Sequence, residues 1–380
     1  MRSMFSYRNS LVALDVSKFD TANVTDMSNM FNNCSILTNL DVSNFNTSKV
    51  KDMSSMFYCC YNVTDLDVSN FNTSNVTDMN RMFSGCRTVT VLDVDGFDTS
   101  NVTDMSWIFS DCSSVTELNV TNFNTSNVTN MAYMFGDCSG LTKLDVSNFD
   151  TSSASSISWM FYGCSGLTDL DISNFDTKNV TSIAAMFYGC EKLTKINLSN
   201  FDTQNVTHMF FLFRDCESLA EVDISSFDTT NVEDMAYMFY RCFALTELDL
   251  SHFNTAKVTS MRYMFYGCRG LTELNISNFD TGNVTEMDRM FEGCKALATL
   301  DVSSFNTVKV TNMREMFQNC ALITELDLSN FNIANVTDMT SMFSGCTKLT
   351  KLDLSGWDLS AVSESSGMFY NCPAGNTYIN

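Results

Sequence analysis

The chain has 380 residues, with 44 acidic against 22 basic side chains and a formal net charge of −22. That balance lacks the basic footprint a nucleic acid or an anionic membrane surface requires, so nucleic acid is excluded as a partner. No apolar run approaches the roughly 20 residues of a membrane helix, so membrane insertion by this segment is not expected.

Met1, Met4 and Phe5 stand in phase with Met27, Met30 and Phe31, so residues 1–13 form a partial repeat. From Leu14 onward, through Leu40, Leu66, Leu92 and on to Leu326 and Leu352, an aliphatic residue recurs every 26 positions without insertion or deletion. A fixed period in this range is the signature of a solenoid, whose units bury their apolar faces only by stacking. Fourteen strict repeats then run to a tail at 373–380, and residues 1–380 read as a single repeat domain. An opening in mid-repeat, with neither leader nor anchor in the chain, suggests a fragment or an upstream start.

Leu66 to Val91 illustrates one unit. Asp65-Leu66-Asp67-Val68 alternates as a half-buried strand does, with Leu66 and Val68 inward. Ser69 to Thr73 turns the chain around an inward Phe71. The second half predicts a short helix. Thr77 is placed as N-cap, Asp78 sits in the first turn, and Met79, Met82, Phe83 and Cys86 form a stripe at i, i+3, i+4, i+7. Gly85 suits a left-handed helix end. Small residues on the helix flanks, such as Ser28, Ser54, Ala132 and Ala184, would let neighbouring helices approach. Strands stack about 4.8 Å apart and helices about 8–10 Å, a mismatch that predicts a curved stack with its sheet on the concave side.

The string LTDLDISNFDTKNV at 167–180 and MFYGC at 186–190 resemble the 26-residue repeat of bacterial surface proteins related to BspA-like leucine-rich repeat proteins. The resemblance covers residues 11–372. It implies an α/β leucine-rich-repeat solenoid with one short parallel strand and one short helix per repeat. It also implies a secreted or surface-held bacterial protein acting in adhesion.

Several columns invite chemistry. Cys34, Cys60, Cys86 and on to Cys372 recur in register, but no close C-x₂₋₄-C spacing occurs and the histidines are only His208 and His252. They read as buried structural thiols, as the Met and Phe columns read as core, and no metal or cofactor is expected. An outward strand position holds Asp15, Asp41, Asp67, Asp93 and their successors; a second Asp/Asn column runs from Asp20 to Asp358. These read as turn-forming, solvated carboxylates, with divalent-cation binding as the competing reading. The Asn-Val-Thr triplets at Asn75 and Asn101 are formal glycosylation acceptors, read here as the approach to a capped helix.

One pattern departs from uniformity. Trp107, Tyr133, Trp159, Phe211, Tyr237 and Tyr263 occupy one outward helix column, and Tyr162, Tyr188, Tyr240 and Tyr266 another three residues later. Core residues recur in every unit, but these aromatics cluster in the middle repeats, as contacts to a partner would. No nucleophile–base pair or phosphate loop is present, so an enzyme is not expected. The expected function is a non-enzymatic, extracellular or cell-surface binding module that recognises a protein or glycan. The alternative is a structural protein that stacks end to end with copies of itself.

Overall fold

The structure is a computed structural model that describes residues 1–375; the last five residues of the tail, 376–380, lie outside the described residues. The chain divides into two compact units, Met1–Asp202 and Thr203–Asn380, each a stack of 26-residue repeats.

Apolar columns fall inward as the sequence predicts. Met79, Met82, Phe83, Cys86, Leu66, Val68 and Phe71 and their equivalents are buried in repeat after repeat. The phenylalanines of the second half-repeat stack on one another. Ring centroids lie 5.7 Å apart for Phe31 and Phe57, 5.8 Å for Phe57 and Phe83, and 5.7 Å for Phe291 and Phe317.

That spacing overturns the predicted helix. The repeats contain no α-helix among the described residues; the helical element is one 3₁₀ turn, Leu359–Ala361. Met79–Met82 and Phe83–Cys86 instead form two successive four-residue turns, closed by Met82 N–H to the Met79 carbonyl (3.1 Å) and Cys86 N–H to the Phe83 carbonyl (3.0 Å). The third residue of each turn is left-handed, with φ 56° at Arg81 and 81° at Gly85, as in type II turns.

The N–H groups between these closures donate sideways. Met79, Arg81, Phe83 and Gly85 bond to the carbonyls of Asp104, Ser106, Ile108 and Ser110 in the next repeat, at 2.8 to 3.2 Å. Parallel bridges join Asp52, Asp78, Asp104 and Asn130 at the start of the same wall. An α-helix would close its bonds within the repeat and hold neighbours about 8–10 Å apart. Lateral bonding satisfies the same groups at strand-like spacing, and this turn wall leaves no room for helices. Curvature from a strand–helix mismatch therefore loses its premise.

Thr77 is not an N-cap. Its N–H and hydroxyl both donate backward to the Lys51 carbonyl, at 2.9 and 3.2 Å. The Asn-Val-Thr asparagines are committed likewise: the Asn75 and Asn101 amides donate to Ser48 and Ser74 carbonyls at 2.9 Å.

The strand wall is the less regular of the two. Three-residue strands form at Lys195–Asn197 (β1), Glu221–Asp223 (β2), Glu247–Asp249 (β3), Glu273–Asn275 (β4), Glu325–Asp327 (β5) and Lys351–Asp353 (β6). β3 pairs in parallel with β4, and β5 with β6. Pairing sets Glu247 opposite Glu273 and Asp327 opposite Asp353, and such like-charge neighbours weaken a ladder.

A buried threonine column, which the sequence pattern did not single out, also joins the repeats. Thr99 Oγ1 donates to the Asn124 carbonyl (3.0 Å) and accepts its N–H (2.8 Å), and Thr47, Thr229 and Thr281 repeat the exchange. One hydroxyl thereby satisfies two backbone groups in the dry core.

Candidate functional site

The two aromatic columns lie on the turn wall, at turn corners rather than on a helix. Trp107, Tyr133, Trp159, Phe211, Tyr237 and Tyr263 occupy the first left-handed corner, with φ between 56° and 62°. That conformation costs an L-residue roughly 1–2 kcal/mol relative to right-handed backbone. Ser55, Arg81, Glu315 and Ser341 adopt it at the same corner, so strain belongs to the column and does not by itself mark the rings. All ten aromatics are half-buried.

In the first unit the structure brings five of them together. Trp107 stacks on Tyr133 with centroids 3.7 Å apart, and Tyr133 on Trp159 at 5.1 Å. Tyr162 meets Trp159 and Tyr188 edge-on, at 5.2 and 5.0 Å. Each such pair contributes about 0.5–1.5 kcal/mol beyond its buried area, which offsets part of the left-handed cost. Arg81 lies 5.3 Å from the Trp107 ring at one end of the row.

The other five gather in the second unit. Tyr237 stacks on Tyr263 and Tyr240 on Tyr266, both at 4.6 Å, while Phe211 meets Tyr237 edge-on at 5.0 Å. Here arginines interleave with the rings. Arg214 lies 4.8–5.2 Å from Phe211, Tyr237 and Tyr240, Arg262 5.5 Å from Tyr263, and the Arg289 guanidinium donates to the Tyr263 hydroxyl. Acidic neighbours hold the guanidiniums in place. Arg241 pairs with Glu217 at 2.6 Å, Arg314 with Glu315 at 2.9 Å, and Arg289 with Glu315. The sequence reading missed these arginines, although they occupy the same or adjoining outward columns as the aromatics.

Glu292 carries the cost of this crowding. Burial and then the Glu315 charge raise its carboxyl to about 7, against the opposing pull of the Arg289 charge 3.3 Å away, whose hydrogen bond goes to Glu315. Burial also acts on Glu315, but the Arg289 bond and charge outweigh it and hold that carboxyl below its usual range.

The competing sites resolve toward local chemistry. Asp67 Oδ1 accepts the Ser69 N–H at 3.0 Å and its hydroxyl at 2.6 Å; these bonds lower its pKa, and the same pattern recurs at Asp41, Asp223 and Asp327. Among the described residues no group of three or more His, Cys, Asp or Glu is placed to hold a metal ion. The cysteines are buried and free, and thiols such as Cys60 and Cys138 donate to the carbonyls of Phe31 and Phe109 at 3.2 and 3.0 Å. Burial raises the pKa of thiols in the repeating column, to about 12 at Cys112 and Cys190. No helix among the described residues is long and apolar enough to cross a membrane.

These repeats define a solenoid whose variable side chains stand at turn corners. The family model described as "Mycoplasma protein of unknown function, DUF285" matches residues 1–91, 83–194, 164–274 and 259–380, and the chain belongs to this family. No curated relative matches.

Solved structures similar to the chain include leucine-rich-repeat proteins. A leucine-rich cell surface protein from Faecalibacterium prausnitzii is 18% identical, with a TM-score of 0.38, 89% of this chain covered and 79% of that one. A leucine-rich repeat protein from Bacteroides ovatus is 16% identical, with a TM-score of 0.35 and coverage of 96% and 81%. An internalin from Listeria monocytogenes is 16% identical, with a TM-score of 0.26 and coverage of 84% and 84%.

Proposed function

We propose that the protein is a non-enzymatic binding module at the bacterial cell surface, and that the aromatic rows of its turn wall contact a protein or glycan partner. The observation that carries this reading is the contrast between columns on one wall. Phe83, Phe109 and Phe135 recur because each repeat must stack, whereas the corner one turn earlier changes from Arg81 to Trp107 to Tyr133 on an unchanged backbone. Half-exposed, mutually stacked rings present large rigid contact area at low entropy cost, as interface hot spots do.

The test is the triple variant Trp107→Ser, Trp159→Ser and Tyr237→Ser, screened on glycan and host-protein arrays beside the wild type. Serine fits, since Ser55 and Ser341 already hold the same left-handed corner. Wild-type partners should bind roughly thirtyfold more weakly, with the unfolding curve nearly unchanged. Unchanged binding places the site elsewhere, and a variant that unfolds makes the rings structural. Loss of self-association instead of ligand binding favours the stacking alternative.

A further inference from the structure

On the turn wall of the second unit, two successive repeats carry glycine at the second left-handed corner: Gly267 (φ 72°) and Gly293 (φ 76°). With no side chain at either, a depression of about 360 Å³ opens between Arg241 and Asn319. Tyr240, Tyr266 and Glu292 form one rim and Phe243, Arg269 and Lys295 the other; burial holds the Glu292 carboxyl up at about 7, which limits its charge on that rim. The Arg269 guanidinium lies 3.9 Å from the centre of the Phe243 ring, which orients it. Arg241 is engaged by Glu217, but exposed Arg269 and Lys295 form no ion pair among the described residues. The first unit has the same floor in Gly163 and Gly189, but Ser139, Ser165 and Glu191 stand at the positions of Phe243, Arg269 and Lys295, and Gly136, Tyr162 and Tyr188 at those of Tyr240, Tyr266 and Glu292. Two unpaired cations at this place in a strongly acidic chain are peculiar to the second unit's depression.

We propose that this depression binds an acidic sugar, a pyranose bearing a carboxylate or a sulfate. The inference rests on the reading of the turn wall as a contact surface and narrows its ligand. The stacked tyrosines give the depression an apolar rim, and Arg269 and Lys295 supply charge-assisted donors to an anionic oxygen. A volume near the small end of ligand pockets, roughly 300–1,000 Å³, suits a terminal sugar. A peptide strand is disfavoured because the wall's backbone is already used. Gly267 and Gly293 N–H groups donate to the Glu292 and Gln318 carbonyls at 2.6 and 2.8 Å, leaving no open edge for strand addition.

The full chain is titrated calorimetrically with trigalacturonate, a heparin-derived sulfated disaccharide, maltotriose and a hexaglutamate peptide. At least one acidic sugar should bind, more weakly as salt rises, and the first two ligands distinguish carboxylate from sulfate. Maltotriose should bind at least tenfold more weakly, and Arg269→Ala and Lys295→Ala should each cost roughly tenfold while melting as wild type does. The proposal is overturned if neither acidic sugar binds, if maltotriose or hexaglutamate binds as tightly, or if both alanine variants bind unchanged. Should the triple aromatic variant lose its partner while acidic sugars fail to bind, the contact wall stands and this subsite alone falls.

Discussion

Replacing Ser55 and Ser341 by glycine separates a turn wall from a helix by the sign of the effect. Both serines sit at the first left-handed corner with φ 55°, one in each unit, and the last repeat already carries Gly367 there at φ 67°. Relief of left-handed strain gives about 1–2 kcal/mol per residue, and the greater freedom of glycine in the unfolded chain takes back about 0.4–1 kcal/mol. Neither the Ser55 nor the Ser341 hydroxyl makes a hydrogen bond among the described residues, so none is lost. The net expectation is stabilisation by about 0.5–1 kcal/mol at each site. In a helix the same change would destabilise by roughly 0.5 kcal/mol, because glycine is the poorer helix former. Urea midpoints of the single and double variants measure the sign, and amide exchange around residues 53–60 and 339–346 confirms that the change is local. Destabilisation at both sites would refute the turn assignment.

The column thiols should stay unreactive toward a bulky disulfide reagent at pH 8 until denaturant is added, since burial raises Cys112 and Cys190 to about 12; prompt reaction of most thiols in the native protein would contradict this. Glu292 makes stability pH-dependent with a definite sign. Its folded pKa of about 7 lies above the ordinary carboxylate value of 4.5, so the fold holds the proton more tightly and stability is lost as pH rises through about 7. Up to about 3 kcal/mol should disappear between pH 5 and 8, and Glu292→Gln should flatten that profile in urea titrations; parallel profiles for the two proteins would count against it.

The inward columns were legible in the sequence because two different backbones bury the same positions. Met79, Met82, Phe83 and Cys86 are spaced as one stripe of a helix, and they are equally the first and last residues of two successive four-residue turns. Burial alone cannot tell these apart. The distinguishing mark was faint: Asn29 with Asn33, and Gly367 with Asn371, put residues tolerant of positive φ four apart, whereas a helix end needs one. The lateral bonds that decide the matter join residues 25 positions apart, where pattern within one repeat is silent. The aromatic columns were legible because they point outward in either conformation. The interleaved arginines were not, since Arg214, Arg241, Arg262, Arg289 and Arg314 are scattered over adjoining columns and converge only when repeats stack at strand spacing.

That spacing also bears on how recognition can work. Each repeat spends backbone donors on its neighbour, as Phe83 does on Ile108 and Phe317 on Met342, and buries Thr, Cys and Phe side chains to complete the join. Changing any of these disturbs the join between repeats. The corner side chains carry no such duty, although the corner N–H groups do: serine, arginine, tryptophan, tyrosine and glutamate all occupy the first corner at φ between 55° and 62°. Variation there alters charge and shape without altering the path of the chain. On the contact wall proposed above, a ligand would meet side chains rather than main chain, and the proposal expects its affinity to follow which corners are rings, which are cations and which are bare glycine.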